Sequence, residues 1–275
     1  MWDLFIVNPF TNILLLIYAF VGNFGVAIIL FTILIRLLTH PIMATQIKSS
    51  ATMQELMKSD EWLKIQAKYK DDREKLAQEQ MKLYQEKGVN PFGSCLPTLI
   101  QFPILIGFYQ SIVRAIAATP LQLLGLVRGI YPQLASLSPA ASLSALIPIQ
   151  SKFLWMDLGL PERVILPFLP AGWGIPVLAL IVAVTTYIQT KLTTPPSADP
   201  NDQSAQMTQS MAITMPLMLF YFSLNFASGL AVYFITSNII GIVQYAALGK
   251  VNLKNLFGGA SKPEVKSKAK TGKRS

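Results

Sequence analysis

The chain has 275 residues, of which 52% are hydrophobic and only 13% charged, and its formal net charge is +9. Soluble domains carry roughly 25% charged residues, so this composition, with a mean hydropathy of +0.45, excludes an ordinary soluble or disordered chain. One cysteine (Cys95) leaves no internal disulfide framework, and one histidine (His40) leaves no Cys/His zinc site.

No Gly-rich phosphate loop, G-x-S-x-G elbow or H-E-x-x-H motif occurs. No residue is therefore read as catalytic, as a metal ligand or as a cofactor contact. The expected class is an all-α polytopic membrane protein: five transmembrane helices, a cytoplasmic helical hairpin and an N-terminal interfacial helix.

In chain order, Leu4 to Ile35 carries no charge, and this run is too long for one helix across a hydrocarbon core of about 30 Å. Asn8-Pro9 and Gly22-Asn23-Phe24-Gly25 are the breaks within it. Residues 1–21 are expected outside, with 9–20 as a helix lying along the interface, because Phe10, Ile13, Leu14, Ile17, Tyr18 and Val21 recur at helical spacing. A secretory signal is disfavoured, since the segment holds Asp3, no Lys or Arg and no A-x-A site.

The spans are placed at 22–42, 91–118, 173–191, 210–226 and 229–248, the last two joined by a tight Asn225-Phe226-Ala227-Ser228-Gly229 turn. Residues 43–90 hold nine Lys/Arg and eight Asp/Glu and read as the hairpin. Met43, Ile47, Met53, Leu56 and Met57 form a loose apolar stripe on its first arm. Asp71 with Glu74 resembles a capping box opening the second, Leu76, Gln80, Leu83 and Tyr84 follow at helical spacing, and Gly88 with Asn90-Pro91 ends it. The hairpin is either a solvated face or a docking surface. The Pro-rich connection 119–172, including Leu134–Ile149, lies outside without crossing. Residues 192–209 form a cytoplasmic loop, and the basic tail 249–275 is disordered.

Basic residues set the orientation. The hairpin carries nine and the tail eight, against three (Arg128, Lys152, Arg163) in 119–172 and none in 1–22. Five spans put both basic segments on one side, giving an outer N-terminus and a cytoplasmic C-terminus.

Arg36 sits inside the first span, where an arginine costs about 2.5–3.5 kcal/mol. No span contains Asp or Glu to pair with it. Either it faces a water-filled indentation, or it snorkels toward lipid phosphate from its place five residues before Pro41. Thr32 lies one turn earlier, and Gln101, Gln110, Gln189, Asn238 and Gln244 add polar groups to other spans, as interhelical hydrogen bonds or as the lining of a common groove. Met207, Met211, Met215 and Met218 mark one face of the fourth span, for packing or for an adaptable slide.

From Gly22 to Leu248 the order of segments resembles the Oxa/YidC/Alb family of membrane-protein insertases. The stretches that carry the likeness are Gly88-Val89-Asn90-Pro91-Phe92-Gly93-Ser94-Cys95-Leu96-Pro97 and Ile100-Gln101-Phe102-Pro103-Ile104. To these are added Arg36 with Pro41, Leu154-Trp155-Met156-Asp157-Leu158, and Ser228-Gly229-Leu230 before Tyr233 and Ser237-Asn238. The resemblance implies a five-helix core with an arginine-bearing groove open to cytoplasm and lipid but closed outside. It implies groove positions at Arg36 and Thr32 and client contacts near Tyr233 and Phe234. It also implies a compact form without the large outer domain or lipoprotein cysteine of some members.

The expected work is insertion of client membrane proteins at a bacterial plasma membrane. The groove would be lined by Arg36, Thr32, Gln101, Gln189, Tyr233, Phe234, Asn238 and Gln244. Expected partners are nascent clients and anionic lipids, with a ribosome at the basic tail and a Sec-type translocon as further candidates, and no DNA. A small-solute transporter or channel and a structural assembly factor are the alternatives.

Overall fold

The computed structural model describes residues 1–57, 59–69, 72–88, 96–117, 119–135, 147–165, 174–193 and 203–249. The first helix, α1 (Asp3–Val21), opens with one wide turn over Asp3–Val7. It stops where the sequence breaks: Gly22 adopts φ 70°, and its N–H bonds back to the Tyr18 carbonyl at 2.8 Å. Glycine suits this left-handed position because it has no Cβ to clash. Asn23 then caps α2 (Phe24–Leu38), its side chain accepting from the Val26 N–H at 3.1 Å.

α2 does not end at Pro41. It bends by 57° about Thr39 and resumes as α3 (His40–Met57). Pro41 falls in the first turn of α3, where a missing N–H is harmless. The proline thus bends the path between the first span and the segment after it, so that boundary is a continuous bent helix.

Among the described residues, the segment read as a two-armed hairpin contains three helices. Ser59 interrupts the first arm and caps α4 (Asp60–Lys68) by accepting from the Trp62 N–H. The cap of α5 (Arg73–Glu86) is Asp72, which accepts from the Lys75 N–H at 3.1 Å. That is one residue beyond the expected Asp71, which lies outside the described residues. α4 and α5 pair through Trp62 and Tyr84, with ring centroids 5.4 Å apart, and through Lys87 with Glu61 at 2.7 Å. Leu56 and Leu83 complete this small core, with Met53 and Met57 against it.

α6 (Leu96–Ile116) contains Pro103 and turns by 114° into α7 (Pro120–Gly129), followed by the single turn α8 (Pro132–Ala135). Helix α7 falls in the connection expected to lie outside without crossing. Its signal is in the sequence: Thr119 and Gln122 form a reciprocal capping box around Pro120 at the first position. Two antiparallel ladders, β1 (Lys152–Phe153) with β2 (Met156–Asp157) and β3 (Val164–Ile165) with β4 (Gly174–Ile175), modify the all-α expectation. A loop that folds back on itself satisfies its backbone groups this way. Leu134–Ile149 and the basic tail lie largely or wholly outside the described residues.

The remaining helices are α9 (Val177–Thr193), α10 (Gln203–Asn225) and α11 (Ser228–Ala247). α10 and α11 are neighbours in sequence, but α9 lies between them and packs on both. α11 also packs on α2 and α6. Where these meet α1, rings follow one another from Phe10 to Phe31 to Phe108 to Tyr233, with centroids 5.3, 4.9 and 4.8 Å apart. By length and composition, among the described residues, Asp3–Val21 and Ser228–Ala247 could each cross a membrane, and up to four spans result if each bent pair counts as one. Val177–Thr193 and Ala212–Asn225 are shorter apolar helices.

Candidate functional site

Below the aromatic row, α2, α9, α10 and α11 separate around a cavity of about 360 Å³. A water occupies about 30 Å³ of liquid, so the space holds on the order of ten. Arg36, two residues before the end of α2, is its charged member. A helical side chain leaves its backbone toward the helix N-terminus, which directs Arg36 back along α2. Its guanidinium donates from Nε to the Ser237 hydroxyl at 2.9 Å, and a second N–H reaches the same oxygen. Ser237 is nine residues into the 20-residue α11, about 13 Å along its axis. A neutral hydroxyl, not a carboxylate, holds the cation.

The other polar groups tie the walls together. Asn238 donates from α11 to Thr185 and Thr186 of α9, at 3.1 and 2.9 Å. Gln101 of α6 donates to the Tyr233 hydroxyl. Gln244 donates to the Arg36 backbone carbonyl at 3.3 Å and lies 3.3 Å from His40 Nδ1, where α2 turns into α3. Gln189 lies against Gly241, where a Cβ would come within 2.5 Å of its amide nitrogen.

Seven of the eight residues singled out from the sequence line this cavity: Arg36, Gln101, Gln189, Tyr233, Phe234, Asn238 and Gln244. The eighth, Thr32, is fully buried and donates to the Ile28 carbonyl at 2.7 Å, a back-bond within α2. Gln110 lies elsewhere, accepting from the Trp2 indole at 2.7 Å. Met43 and Ile47, read as part of the hairpin stripe, line the cavity instead, as does Met215. Sequence reasoning missed Ser237 as the partner of Arg36. It also missed Thr186, Thr190 and Thr193, which line the cavity from α9. Their recurrence every three or four residues in an apolar helix was a readable signal.

On the far side of the aromatic row, backbone groups tie a loop to the start of α11. The first N–H groups of α11 have no partner within the helix. Ser228 N–H donates to the Leu160 carbonyl at 2.9 Å, and Gly229 N–H to the Leu158 carbonyl at 3.0 Å. The Ser228 hydroxyl donates to the Asp157 carbonyl at 2.7 Å. Buried Glu162 accepts from the Trp155 indole and from the Leu178 N–H, both at 3.0 Å. The loop that follows β2 is thus fastened to the ends of α9 and α11. At Gly229 a Cβ would lie 3.1–3.2 Å from Ile112, Ile28 and the Leu158 carbonyl.

Residues 16–255 match the family model described as the 60Kd inner membrane protein. The membrane protein insertase MisCA of Bacillus subtilis is 34% identical over 246 residues, covering 88% of this chain and 77% of that protein. Membrane protein insertase YidC 2 of Bacillus anthracis is 33% identical over 267 residues, 95% of this chain and 86% of the relative. Membrane protein insertase YidC of Syntrophobacter fumaroxidans is 35% identical over 246 residues, but this chain spans only 37% of its length. Among solved structures, an active YidC insertase with its first transmembrane domain resolved aligns with a TM-score of 0.51 and 25% identity, over 82% of this chain and 42% of that one. The coverage of the family model and of full-length relatives establishes that the chain belongs to the 60Kd inner membrane protein family, the family of the YidC and Oxa insertases.

Proposed function

We propose that this protein is a membrane-protein insertase whose polar cavity receives the short hydrophilic segment of a client while the client's apolar helix passes into lipid. The carrying observation is Arg36. Its cation lines an open cavity on a hydroxyl partner, and no Asp or Glu occurs in the membrane helices to neutralise it. Its direction along α2 and its reach to the middle of α11 favour the indentation over snorkelling to the near lipid phosphate. A cavity open at the Arg36 end and closed at the Ser228 end shortens the hydrocarbon that a polar segment must cross. Burial of the client helix, at about 25 cal/mol per Å² of apolar surface, drives the step without ATP.

The arrangement in lipid is five spans: α2 completed by the start of α3, then α6, α9, α10 and α11. The Ser228 end faces outside and the Arg36 end faces the cytoplasm of a bacterial cell. α1 is long enough to cross, but its contacts support an outer position along the interface. Phe10 meets Phe31 and Tyr18 meets Phe24 on the first half of α2, and Asn8 accepts from Arg114 near the far end of α6. The small core of α4 and α5 supports a folded cytoplasmic platform where clients arrive. Nascent clients and anionic lipids are the partners, and a ribosome at the basic tail and a Sec-type translocon are further ones.

The test is reconstitution of the protein alone in liposomes with a single-span client bearing an acidic outer tail, read by protease protection. Wild type and Arg36→Lys insert the client, and Arg36→Ala loses at least tenfold. Equal insertion by wild type and Arg36→Ala removes the cation from the mechanism. Solute flux without insertion supports a channel, and neither activity supports an assembly factor.

A further inference from the structure

A second cavity, of about 340 Å³, lies in the elbow where α6 turns into α7, apart from the Arg36 groove. Its polar lining comes from Gln110, Arg114, Gln122 and Tyr109, with Leu121 and Val113 beside them. The hydrogen bonds these residues already make decide what they can offer. The Gln110 side-chain oxygen accepts from the Trp2 indole N–H at 2.7 Å, so its remaining polar group is the amide NH2. The Gln122 side-chain oxygen accepts from the Thr119 backbone N–H at 3.2 Å, which leaves its NH2 in the same way. Arg114 is a donor at every nitrogen. One of its N–H groups goes to the Asn8 side-chain oxygen at 2.6 Å, and its side chain is still 28% exposed. A guanidinium and two amide NH2 groups therefore line one space, and an acceptor with several oxygens, preferably anionic, suits them.

The surroundings say which anion. Leu121 is 80% exposed, Leu124 48%, and Phe5 of the adjoining α1 68%. Apolar side chains this exposed are costly in water and favourable against acyl chains. The elbow also lies at the end of α6, which spans by itself in the arrangement proposed above, with α7 leaving it at 114°. The level of the cavity is then that of lipid headgroups. The geometry points to a binding site for the phosphate of an outer-leaflet phospholipid, held by Gln110, Arg114 and Gln122 with its chains against Leu121, Leu124 and Phe5. Its placement in the outer leaflet rests on the orientation proposed above, while phosphate capture at the elbow does not. Asp3 works against the ligand, because its carboxylate lies 3.6 Å from Arg114 and is 65% exposed. It is a competitor, loosely held, that a bound phosphate would displace.

The full chain in detergent, titrated with phosphatidylglycerol and followed by native mass spectrometry, tests the site. Wild type is expected to retain a saturable lipid adduct, and Arg114→Gln to weaken it at least tenfold. Asp3→Asn is expected to strengthen it severalfold, a change that misfolding does not mimic. Equal retention by wild type, Arg114→Gln and Asp3→Asn overturns the site. Quantitative displacement of the lipid by inorganic phosphate at equal concentration overturns the lipid as ligand and leaves a small-anion site. Because the readout is lipid mass and not client insertion, its failure is separate from failure of the insertase reading.

Discussion

The two ends of the helix bundle solve opposite problems with the same helices. At the Ser228 end, main-chain donors of α11 meet the carbonyls of Leu158 and Leu160, and four rings pack in a row through the core beneath them. Backbone pairs have few alternatives, so this end is a fixed wall. At the Arg36 end the polar groups are side chains on four helices, several of them paired once and facing an open cavity. Side-chain partners can be exchanged for water or for a client's polar groups at little cost. On the function proposed above, a fixed wall above an exchangeable lining makes a groove with one mouth rather than a pore.

The most damaging way to break this contrast is to remove a ring from the wall. Phe108 is fully buried between Phe31 and Tyr233, and Phe108→Ala should cost about 3–5 kcal/mol of stability, read by thermal unfolding in detergent. In a Cys95→Ser background, a charged thiol reagent applied from the Ser228 side should then label Ser237→Cys, and should fail to do so with Phe108 in place. Labelling in both backgrounds would show that the wall is not a seal.

A smaller effect is expected at the fastening itself. Gly229→Val places atoms where a Cβ already lies 3.1–3.2 Å from Ile112, Ile28 and the Leu158 carbonyl, and overpacking of this kind costs about 1–3 kcal/mol. The Arg36–Ser237 contact lies about two helical turns away, so client affinity per folded molecule should change less than the unfolding midpoint. Unchanged stability would show that Gly229 has room for a side chain and that α11 does not meet the loop this closely.

The wall and the groove were unequally legible in the sequence. Arg36 stood out because a cation in an uncharged run is costly and demands a reason. Its partner Ser237 did not, because the two are 201 residues apart and nothing in one sequence fixes the register of α2 against α11. Likewise Leu154–Leu158 and Ser228-Gly229 were recognisable separately, but their hydrogen bonding to one another is a tertiary fact. The cap of α5 was misplaced by one residue because Asp71 and Asp72 are chemically equivalent caps and only the backbone chooses. Helix α7 is hidden for another reason: prolines spaced along 119–172 mark a connection, although proline at a first helical position starts a helix.

On the groove side, Asn238→Leu removes the side chain that ties α11 to Thr185 and Thr186. Interhelical hydrogen bonds in membranes average about 0.6 kcal/mol, so unfolding should shift by that order, far less than for Phe108→Ala. A loss as large as that of Phe108→Ala would make the lining as rigid as the wall and would erase the contrast between the two ends.

The smallest effect lies outside the bundle, in α5, where pH separates an exposed cap from both buried regions. The Asp72 carboxyl is held below the usual carboxylate range, first by the Lys75 backbone N–H and then by the Lys75 side chain. A depressed value means that the charged cap stabilises α5 fully above the unfolded value of about 3.9 and is lost as pH falls through the lower folded value. Hydrogen exchange of residues 72–79, corrected for intrinsic rate, should therefore accelerate as the pH drops below about 4. Asp72→Asn keeps an oxygen that can accept from Lys75 N–H but cannot titrate in this way, so its profile should be flatter over the same interval. The Ser228 and Gly229 N–H groups donate to main-chain carbonyls, which do not titrate, and exchange at these two amides should not follow the acid transition of α5. If those two amides track residues 72–79, the wall and the platform open together and are not independent parts.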